Sequence, residues 1–310
     1  MVAVLAGGTG GAKLARGMLD EVGADELAVI VNTADDVEVH GVHVSPDPDL
    51  VAYWLADEID ERGWGRRGDT WQVMDALAER GRPVWFRLGD RDLAMCLVRT
   101  EHLRSGARLT GAQEQVARAL GVGARVLPMA DEPVRTHVLS AGAWRPFQEF
   151  MILGGEDAPV EGVELRGVEG ARATPEVLEV LARAEAVVIG PSNPVISIGP
   201  ILGVPGLREA IEASPGPVVA VSPFVEGRAV KGPTEAFAAQ AGLPPGAAGA
   251  ALAYAGLVDG LVSDEPVEGL PVLETDTRMD SPEARARVAR ETLAFARSLR
   301  DRAGPAPGRR

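Results

Sequence analysis

Two aspartates stand close together in the segment Ser45-Pro-Asp-Pro-Asp49, and their spacing suits acid chemistry. Pro48 disfavours the α conformation at the residue before it, so we expect this segment to be extended. In an extended chain the side chains of Asp47 and Asp49 point the same way, where two carboxylates can hold Mg²⁺ or orient a hydroxyl nucleophile. The alternative is an Asp-Pro turn in which Asp49 caps the following helix, and the spacing alone favours neither.

A second chemical feature is the glycine-rich segment Gly7-Gly-Thr-Gly-Gly11, which is followed by Lys13. It comes after the apolar run Val2–Leu5, so the pattern predicts a strand, a glycine turn and a helix. Glycines let a ligand approach the backbone, the first N–H groups of a helix lack intrahelical partners, and Lys13 adds a positive charge. We therefore expect a phosphate or nucleotide site, although the spacing matches no Walker A loop and no clean Gly-x-Gly-x-x-Gly fingerprint. The alternative is a tight turn that packs helix on strand.

Two further segments carry clustered carboxylates. Asn32-Thr-Ala-Asp-Asp36 follows the buried strand predicted for 27–31, where nucleotide folds often place a ribose or metal contact. Leu88-Gly-Asp-Arg-Asp92 comes after Arg87 and a short apolar stretch. It predicts either a helix start capped by Asp90 or the polar wall of a substrate pocket.

Two loops rich in proline and small polar residues follow other predicted strands, at 190–200 and at 222–232. Their prolines restrict the backbone, while their side chains supply donors and acceptors. The side chains that we expect to meet a ligand are Ser192, Asn193, Ser222 and Lys231. The only lysines of the sequence are Lys13 and Lys231, and a compact ammonium in a glycine-containing loop suits a phosphate.

The elements that must position these residues alternate between apolar strands and helices. Strands are predicted at 2–5, 27–31, 186–190, 217–221, 260–262 and 271–274. This alternation predicts an α/β fold with a Rossmann-like, doubly wound parallel sheet. Ligands bind such sheets outside the carboxyl ends of the strands, and the loops at 7–11, 32–36, 190–200 and 222–232 all fall there.

Residues 45–170 break this rhythm with predicted helices at 50–62, 70–80, 92–105 and 111–120. Short strands are then predicted at 125–128, 134–139, 147–152 and 163–166, the middle two forming a hairpin. We therefore divide the chain into a Rossmann-like nucleotide-binding core (1–44 and 171–303), an inserted helical and β-hairpin portion (45–170) and a frayed tail (304–310).

Composition narrows the classes of function. The 310 residues carry a formal net charge of −14, which argues against general binding to nucleic acid or to a membrane surface. We expect no membrane span, because no apolar run reaches ~18 residues, and no signal peptide, because no basic segment precedes the first strand. The single cysteine, Cys96, excludes an intramolecular disulfide and fits a cytoplasmic protein. The four histidines show no zinc-site spacing.

Seven segments taken together resemble the 2-phospho-L-lactate transferase family (the CofD/FbiA type), whose enzymes build the deazaflavin coenzyme factor 420. The resemblance runs in order from the N-terminus to about residue 265. The segments are Gly7–Lys13, Asn32–Asp36, Ser45–Asp49, Leu88–Asp92, Leu127–Asp131, Ile189–Pro194 and Val221–Pro223. Their combination is specific, whereas the opening GGTG also occurs in the related YvcK-like group.

The resemblance implies a phosphoryl-type transfer that depends on Mg²⁺. The acceptor would be the ribityl 5′-hydroxyl of 7,8-didemethyl-8-hydroxy-5-deazariboflavin, which attacks the acid-bearing phosphorus of a guanylyl diphosphate donor and releases GMP. In archaeal members the donor carries 2-phospholactate, and in many bacterial members it carries phosphoenolpyruvate. A composition rich in Arg, Ala and Gly indicates a high-GC bacterium and favours phosphoenolpyruvate. The resemblance also implies a homodimer.

The resemblance also implies roles for residues of this chain. The catalytic residues would be Asp47 and Asp49, and the metal ligands Asp36, Asp47 and Asp49. The family's deazaflavin contacts carry over to Asp49 and Arg87, in the portion 45–170; archaeal relatives tend to have Lys at the position of Arg87. Beside them, Asp90 and Asp92 would bind the deazaflavin as the polar wall of the pocket. The donor would be bound by Gly7, Gly8, Thr9, Gly10, Gly11, Lys13, Ser192, Asn193, Ser222 and Lys231.

Two alternatives remain. A non-enzymatic YvcK-like protein that binds a nucleotide sugar would share the fold, but segments 45–49 and 89–92 look like those of the deazaflavin transferases. A generic Rossmann oxidoreductase fits poorly, because the glycine spacing is wrong and no catalytic Tyr-Lys or His-Asp pair is evident.

Overall fold

The computed structural model of the chain describes residues 1–154, 158–230 and 232–303. Lys231 and the tail 304–310, which the sequence assigns to a phosphate contact and to a frayed end, lie outside these residues. The described strands are β1 Val2–Ala6, β2 Leu27–Val31, β3 Val37–Val39, β4 Val42–Val44, β5 Arg125–Pro128, β6 Arg135–Ser140, β7 Ala143–Pro146, β8 Gly162–Arg166, β9 Ala186–Ile189, β10 Val218–Val221, β11 Phe224–Val225, β12 Arg228–Ala229, β13 Gly260–Ser263 and β14 Val272–Glu274. The described helices are α1 Gly8–Val22, α2 Pro46–Leu55, α3 Gln72–Glu79, α4 Asp90–Arg104, α5 Leu109–Ala119, α6 Phe147–Leu153, α7 Pro175–Arg183, α8 Ile198–Gly203, α9 Leu207–Glu212, α10 Thr234–Gln240, α11 Ala247–Ala253 and α12 Pro282–Ala303.

A seven-stranded sheet forms the centre of the described chain, in the order β14-β13-β10-β9-β1-β2-β5. All of its neighbouring strands run parallel. From β1 the chain first adds strands on one side and then, from β9, on the other. The strand order therefore reverses between β1 and β9, which is where such sheets bind ligands. The predicted Rossmann-like fold, with its added helical and hairpin portion, is confirmed.

Successive residues of a strand point to opposite sides of the sheet, and helices cover both sides, so both faces of the sheet are buried. Ala3 and Leu5 belong to a core that includes side chains of α7, α8 and α9. Val2 and Val4 belong to a second core that includes α1, α2 and α12. Burial on both sides explains why these strands read as continuous apolar runs.

Three small antiparallel sheets surround this centre: β3-β4, β7-β6-β8 and β11-β12. The strand β5 was expected in the inserted portion 45–170, but it pairs with β2 and forms an edge of the central sheet. The portion 45–170 is therefore not a single block outside the sheet. Among the described helices, none is long and apolar enough to cross a membrane.

Three segments differ from the prediction in ways that matter for the site. The helix α2 begins at Pro46, so Ser45–Asp49 is not extended; a proline is tolerated in a first turn, where the N–H that it lacks has no intrahelical partner. The helix α1 begins at Gly8, so most of the glycine segment is helical rather than a turn. Residues 147–152 form α6 and not a strand, because a short apolar run does not distinguish the two periodicities.

Candidate active site

One cavity lies at the carboxyl ends of strands of the central sheet, and a second lies beside it among the added elements. The first, termed the glycine cavity, has a volume of about 300 Å³ and is lined by the start of α1, the loops after β9 and β10, and the segment 277–280. The second, termed the aromatic cavity, has a volume of about 330 Å³ and is lined by α2, the segment 62–71, the start of α4 and part of α6. The site thus joins the sheet to the elements packed beside it.

The glycine cavity lies at the switch point between β1 and β9. The residues predicted to bind the donor that line it are Gly7, Gly8, Thr9, Gly10, Lys13, Ser192, Asn193 and Ser222. Gly11 does not line it. A Cβ at Gly11 would lie 2.7 Å from the Ser192 hydroxyl and 2.8 Å from the Ala6 Cβ, so the absence of a side chain allows α1 to pack closely on β1. Gly11 therefore serves helix–strand packing, which was the alternative interpretation of the glycine segment.

Two glycines shape the floor of this cavity. Gly8 has φ +67°, a conformation that L side chains rarely adopt, and a Cβ there would meet no atom within 4 Å. Gly10 permits close approach of another segment, because a Cβ would lie 2.0 Å from the Pro191 carbonyl oxygen. The sequence places glycines here for two reasons, then: a left-handed backbone at one position and close contact at the other.

Two buried polar groups in this cavity have no hydrogen-bond partner among the described residues: the Asn193 Nδ2 and the Thr277 hydroxyl. The Asn193 Oδ1 accepts from the amides of Val195 (2.8 Å) and Ile196 (3.2 Å), which fixes the orientation of its side chain. Buried polar groups are normally paired, so both are ready to bind a polar ligand. Thr277 escaped the sequence reasoning, because its segment carries no pattern beyond following a strand.

Four buried polar side chains cluster next to the glycine cavity: Asn32, Asp35, Asp36 and Asp47. The Asn32 amide donates to Asp35 Oδ2 (3.1 Å) and to Asp47 Oδ2 (3.0 Å). Burial raises the pKa of Asp47 to about 6, although hydrogen bonds from Asn32 and the Gly8 amide oppose the rise. Burial and the charge of Asp47 raise the pKa of Asp35 well above its usual value.

Asp36 is held by the β3-β4 hairpin, which the sequence did not predict. Its Oδ2 accepts from the His43 Nε2 and from the Ser45 hydroxyl, both at 2.8 Å. Burial opposes charge on His43, but hydrogen bonds to Asp36 and Glu38 outweigh it and raise the pKa of His43. One oxygen of Asp36 is buried without a partner among the described residues, whereas Asp35 faces the hydroxyl of Thr136 as well as the amide of Asn32. Two adjacent buried carboxylates of this kind can supply oxygen ligands to a cation.

Asp47 and Asp49 face different neighbours, because two residues along a helix turn the side chain by roughly 200°. Asp47 Oδ1 accepts from the Gly8 amide at 2.8 Å. Asp49 forms an ion pair with the fully buried Arg99, whose Nη1 lies 3.0 Å from Asp49 Oδ2, and Arg99 also donates to Gln113. The two carboxylates predicted to act side by side therefore bond to different partners, although both residues line the aromatic cavity.

The aromatic cavity is lined by four aromatic side chains: Tyr53, Trp64, Trp71 and Phe86. The Arg62 guanidinium lies 4.3 Å from the ring centroid of Trp64 and 5.5 Å from that of Trp71. Flat rings with a cation over two of them form a surface on which a planar heterocycle can stack. The sequence reasoning missed these aromatic residues, since they come from separate elements and share no spacing.

Three of the four residues predicted to bind the deazaflavin line the aromatic cavity: Asp49, Arg87 and Asp92. The Tyr53 hydroxyl donates to Asp92 at 2.6 Å, and burial together with the charge of Asp49 raises the pKa of Asp92 to about 6. Arg87 pairs with the exposed Asp75 at 2.7 Å.

Asp90, the fourth, does not line this cavity and instead caps a helix. Its carboxylate accepts from the Thr70 hydroxyl and from the amides of Gln72 (3.1 Å) and Val73 (3.0 Å), at the start of α3. In return, Asp69 accepts from the first amides of α4. The predicted capping role of Asp90 is thus real, but it caps the neighbouring helix rather than its own.

Among the described residues, two groups of side chains offer ligand atoms for a cation. Ligand atoms of Asp49, Asp92 and Cys96 lie within 4.8 Å of one another. Arg99 already neutralises Asp49, however, and a thiol suits Mg²⁺ poorly. Asp35 and Asp36 offer carboxylate oxygens instead, which suit Mg²⁺, and both residues line a further cavity of about 210 Å³. The second group therefore fits a Mg²⁺ ion better.

Comparisons with known proteins show which family the chain is similar to. The family model "2-phospho-L-lactate transferase CofD" matches residues 2–291. A phosphoenolpyruvate transferase of Kitasatospora aureofaciens is 39% identical over 321 residues, covering 96% of this chain and 98% of its own. A 2-phospho-L-lactate transferase of Methanosarcina mazei is 39% identical over 263 residues, covering 84% of this chain and 86% of its own.

A solved structure extends the likeness of fold. Protein BH3568 of Bacillus halodurans, described as a member of the upf0052 family, superposes with a TM-score of 0.59 at 17% identity, covering 94% of this chain and 98% of its own. At that identity the likeness concerns the fold alone. The enzyme prediction rests instead on the family match and on the relatives at 39% identity, and it is confirmed. The chain belongs to the 2-phospho-L-lactate transferase family and is a transferase of factor 420 biosynthesis.

Proposed function

We propose that this transferase moves a phosphoenolpyruvyl or phospholactyl group from a guanylyl diphosphate donor to the ribityl 5′-hydroxyl of 7,8-didemethyl-8-hydroxy-5-deazariboflavin, releasing GMP. One observation carries the proposal: the two cavities meet at a hydrogen bond. The Gly8 amide, in the glycine cavity, donates at 2.8 Å to Asp47, which lines the aromatic cavity. A donor and an acceptor bound in the two cavities would therefore face each other across this contact.

The glycine cavity suits the guanylyl diphosphate. Thr9 and Gly10 belong to the first turn of α1, whose amides lack intrahelical partners and favour an anion. Lys13 lies 3.5 Å from the exposed Asp280 and can turn its ammonium to a phosphate. The Asn193 amide and the Thr277 hydroxyl would serve the guanylyl part.

The aromatic cavity suits the deazaflavin. Trp64, Trp71 and Phe86 would stack on the flat ring system. Arg87 and Asp92 would bind its polar edge, and for Arg87 this is the role that the family resemblance implies. Asp49 would position neighbouring groups rather than bind the deazaflavin directly, because its carboxylate is paired with Arg99.

Asp47 would orient the attacking hydroxyl and accept its proton, since its carboxylate stands where the two cavities meet. Asp35 and Asp36, in place of the predicted set of Asp36, Asp47 and Asp49, would hold Mg²⁺. When bound, the ion neutralises negative charge as GMP leaves. His43 and Ser45 would keep the Asp36 carboxylate in position.

The test is reconstitution with the purified protein, Mg²⁺, the deazaflavin and both synthetic donors, followed by chromatography for GMP and for the phosphorylated deazaflavin. We expect both products, and faster turnover with the enolpyruvyl donor, because the relatives that cover nearly the whole chain carry the name phosphoenolpyruvate transferase. Absence of both products with both donors would overturn the proposal. Light scattering would test the homodimer that the family resemblance implies.

A further inference from the structure

The short helix α6 lies over the place where the two cavities meet. Met151 lines the glycine cavity, whereas the next residue, Ile152, lines the aromatic cavity together with Gln148. Adjacent helical residues point roughly 100° apart, so one helix presents a different face to each cavity. Among the described residues, α6 is the only helix or strand that lines both.

Packing on its other side holds α6 in this position. Phe150 is only 3% exposed and packs edge-on against Phe237, with ring centroids 5.9 Å apart. Gln148 donates to the backbone carbonyl of Asp35 at 3.3 Å, which ties the helix to the carboxylate cluster. By contrast, Met151 and Ile152 are 36% and 45% exposed. Their apolar side chains are thus fixed by a buried neighbour while remaining free to meet a ligand.

We propose that α6 is the roof over the transferred phospho-acid, and that Met151 and Ile152 exclude water from the reacting phosphorus; this rests on the function proposed above. In the transfer, the ribityl oxygen bonds to the acid-bearing phosphorus, the phosphorus–oxygen bond to GMP breaks and the hydroxyl proton passes to Asp47. If water attacks instead, the same bond to GMP breaks and the free three-carbon phospho-acid forms. Apolar side chains over the phosphorus disfavour the second outcome, because they leave water no place to bind.

The two residues also have separable effects on substrate binding. Met151 faces the donor side, so Met151→Ala raises the KM for the donor and leaves the KM for the deazaflavin unchanged. Ile152 faces the acceptor side, so Ile152→Ala does the opposite. Removing an apolar contact of this size changes KM by about tenfold.

The experiment measures the ratio of free phospho-acid to phosphorylated deazaflavin in wild type, Met151→Ala and Ile152→Ala, with both donors. The matched control is Leu153→Ala on the same helix, since Leu153 is 57% exposed and lines neither cavity. We expect the ratio to rise about tenfold in the first two variants and to stay at the wild-type value in the control.

The outcomes separate the two proposals. Suppose that wild type transfers the group, but Met151→Ala and Ile152→Ala match Leu153→Ala in KM and in the ratio of free phospho-acid to phosphorylated deazaflavin. The proposed role of α6 is then wrong and the proposed function stands. If wild type releases no GMP with either donor, both proposals are overturned.

Discussion

The two cavities are built in different ways. The glycine cavity is lined mainly by loops that follow strands of the parallel sheet and by the start of α1, with glycines that admit close contact. The aromatic cavity is formed by large side chains from α2, the segment 62–71, α4 and α6. The first therefore belongs to the fold itself, whereas the second depends on elements added beside the sheet. This comparison suggests that the fold supplies a nucleotide site and the additions decide what the nucleotide-borne group is transferred to.

The largest expected effect is at the boundary between the two cavities. Asp47→Asn keeps the size of the side chain but removes the negative charge and the proton acceptor, so we expect kcat to fall by about 10³-fold. The carboxylate is buried at a cost to stability, so the variant should remain folded. Steady-state kinetics and thermal unfolding measure both effects, with the surface variant Asp20→Asn as control. A kcat within tenfold of wild type would show that the boundary does not carry the chemistry.

Asp49→Ala tests whether the Asp49–Arg99 ion pair stabilises the wall of the aromatic cavity. Removing this carboxylate leaves Arg99 buried without its ion-pair partner, which costs about 3–5 kcal/mol of unfolding free energy. The variant should therefore lose stability as well as activity. Urea unfolding measures the loss, and the double variant Asp49→Ala/Arg99→Met should regain most of it. If the single variant is as stable as wild type, the ion pair is not what holds this wall together.

Asp92 allows a pH test of the same cavity. Its pKa is raised to about 6 from an ordinary 3.8, so the ionised form destabilises the fold above about pH 6, and this cost disappears as the pH falls through 6 towards 4. Asp92→Asn should thus have a higher unfolding free energy than wild type at pH 7.5, by on the order of 2–3 kcal/mol, and nearly the same unfolding free energy at pH 4. The titratable or charged groups facing Asp92 are Asp49, Tyr53, Asp69, Cys96 and Arg99. If the difference in unfolding free energy between Asp92→Asn and wild type were the same at both pH values, the raised pKa of Asp92 would be contradicted.

The sequence predicts the residues of the glycine cavity well and those of the aromatic cavity poorly. Val2–Ala6, Leu27–Val31 and Ala186–Ile189 are buried on both faces, so their positions in a parallel sheet follow from continuous apolar runs, and the loops after them follow as ligand-binding loops. The aromatic cavity combines Tyr53, Trp71 and Phe86 through tertiary contacts that no spacing encodes.

Local ambiguity accounts for the remaining errors. Pro48 biases Asp47 away from the α conformation, yet the start of a helix tolerates both prolines of Ser45–Asp49, and in this helix the two carboxylates bond to different partners. The run Phe147–Ile152 is apolar enough for either a strand or a helix, and Phe150 packing against Phe237 decides for the helix.

The assignment of one substrate to each cavity is tested most directly by crossed binding titrations. Thr277→Val removes one hydroxyl from the glycine cavity, and Trp71→Ala removes one ring from the aromatic cavity; Trp144→Ala, 42% exposed on β7, is the control. The account predicts that Thr277→Val weakens GDP binding by about 3- to 10-fold without affecting the deazaflavin. It also predicts that Trp71→Ala weakens deazaflavin binding by about tenfold or more without affecting GDP. The assignment would be contradicted if calorimetry showed that Thr277→Val weakens deazaflavin binding, that Trp71→Ala weakens GDP binding, or that either variant weakens the binding of both ligands equally.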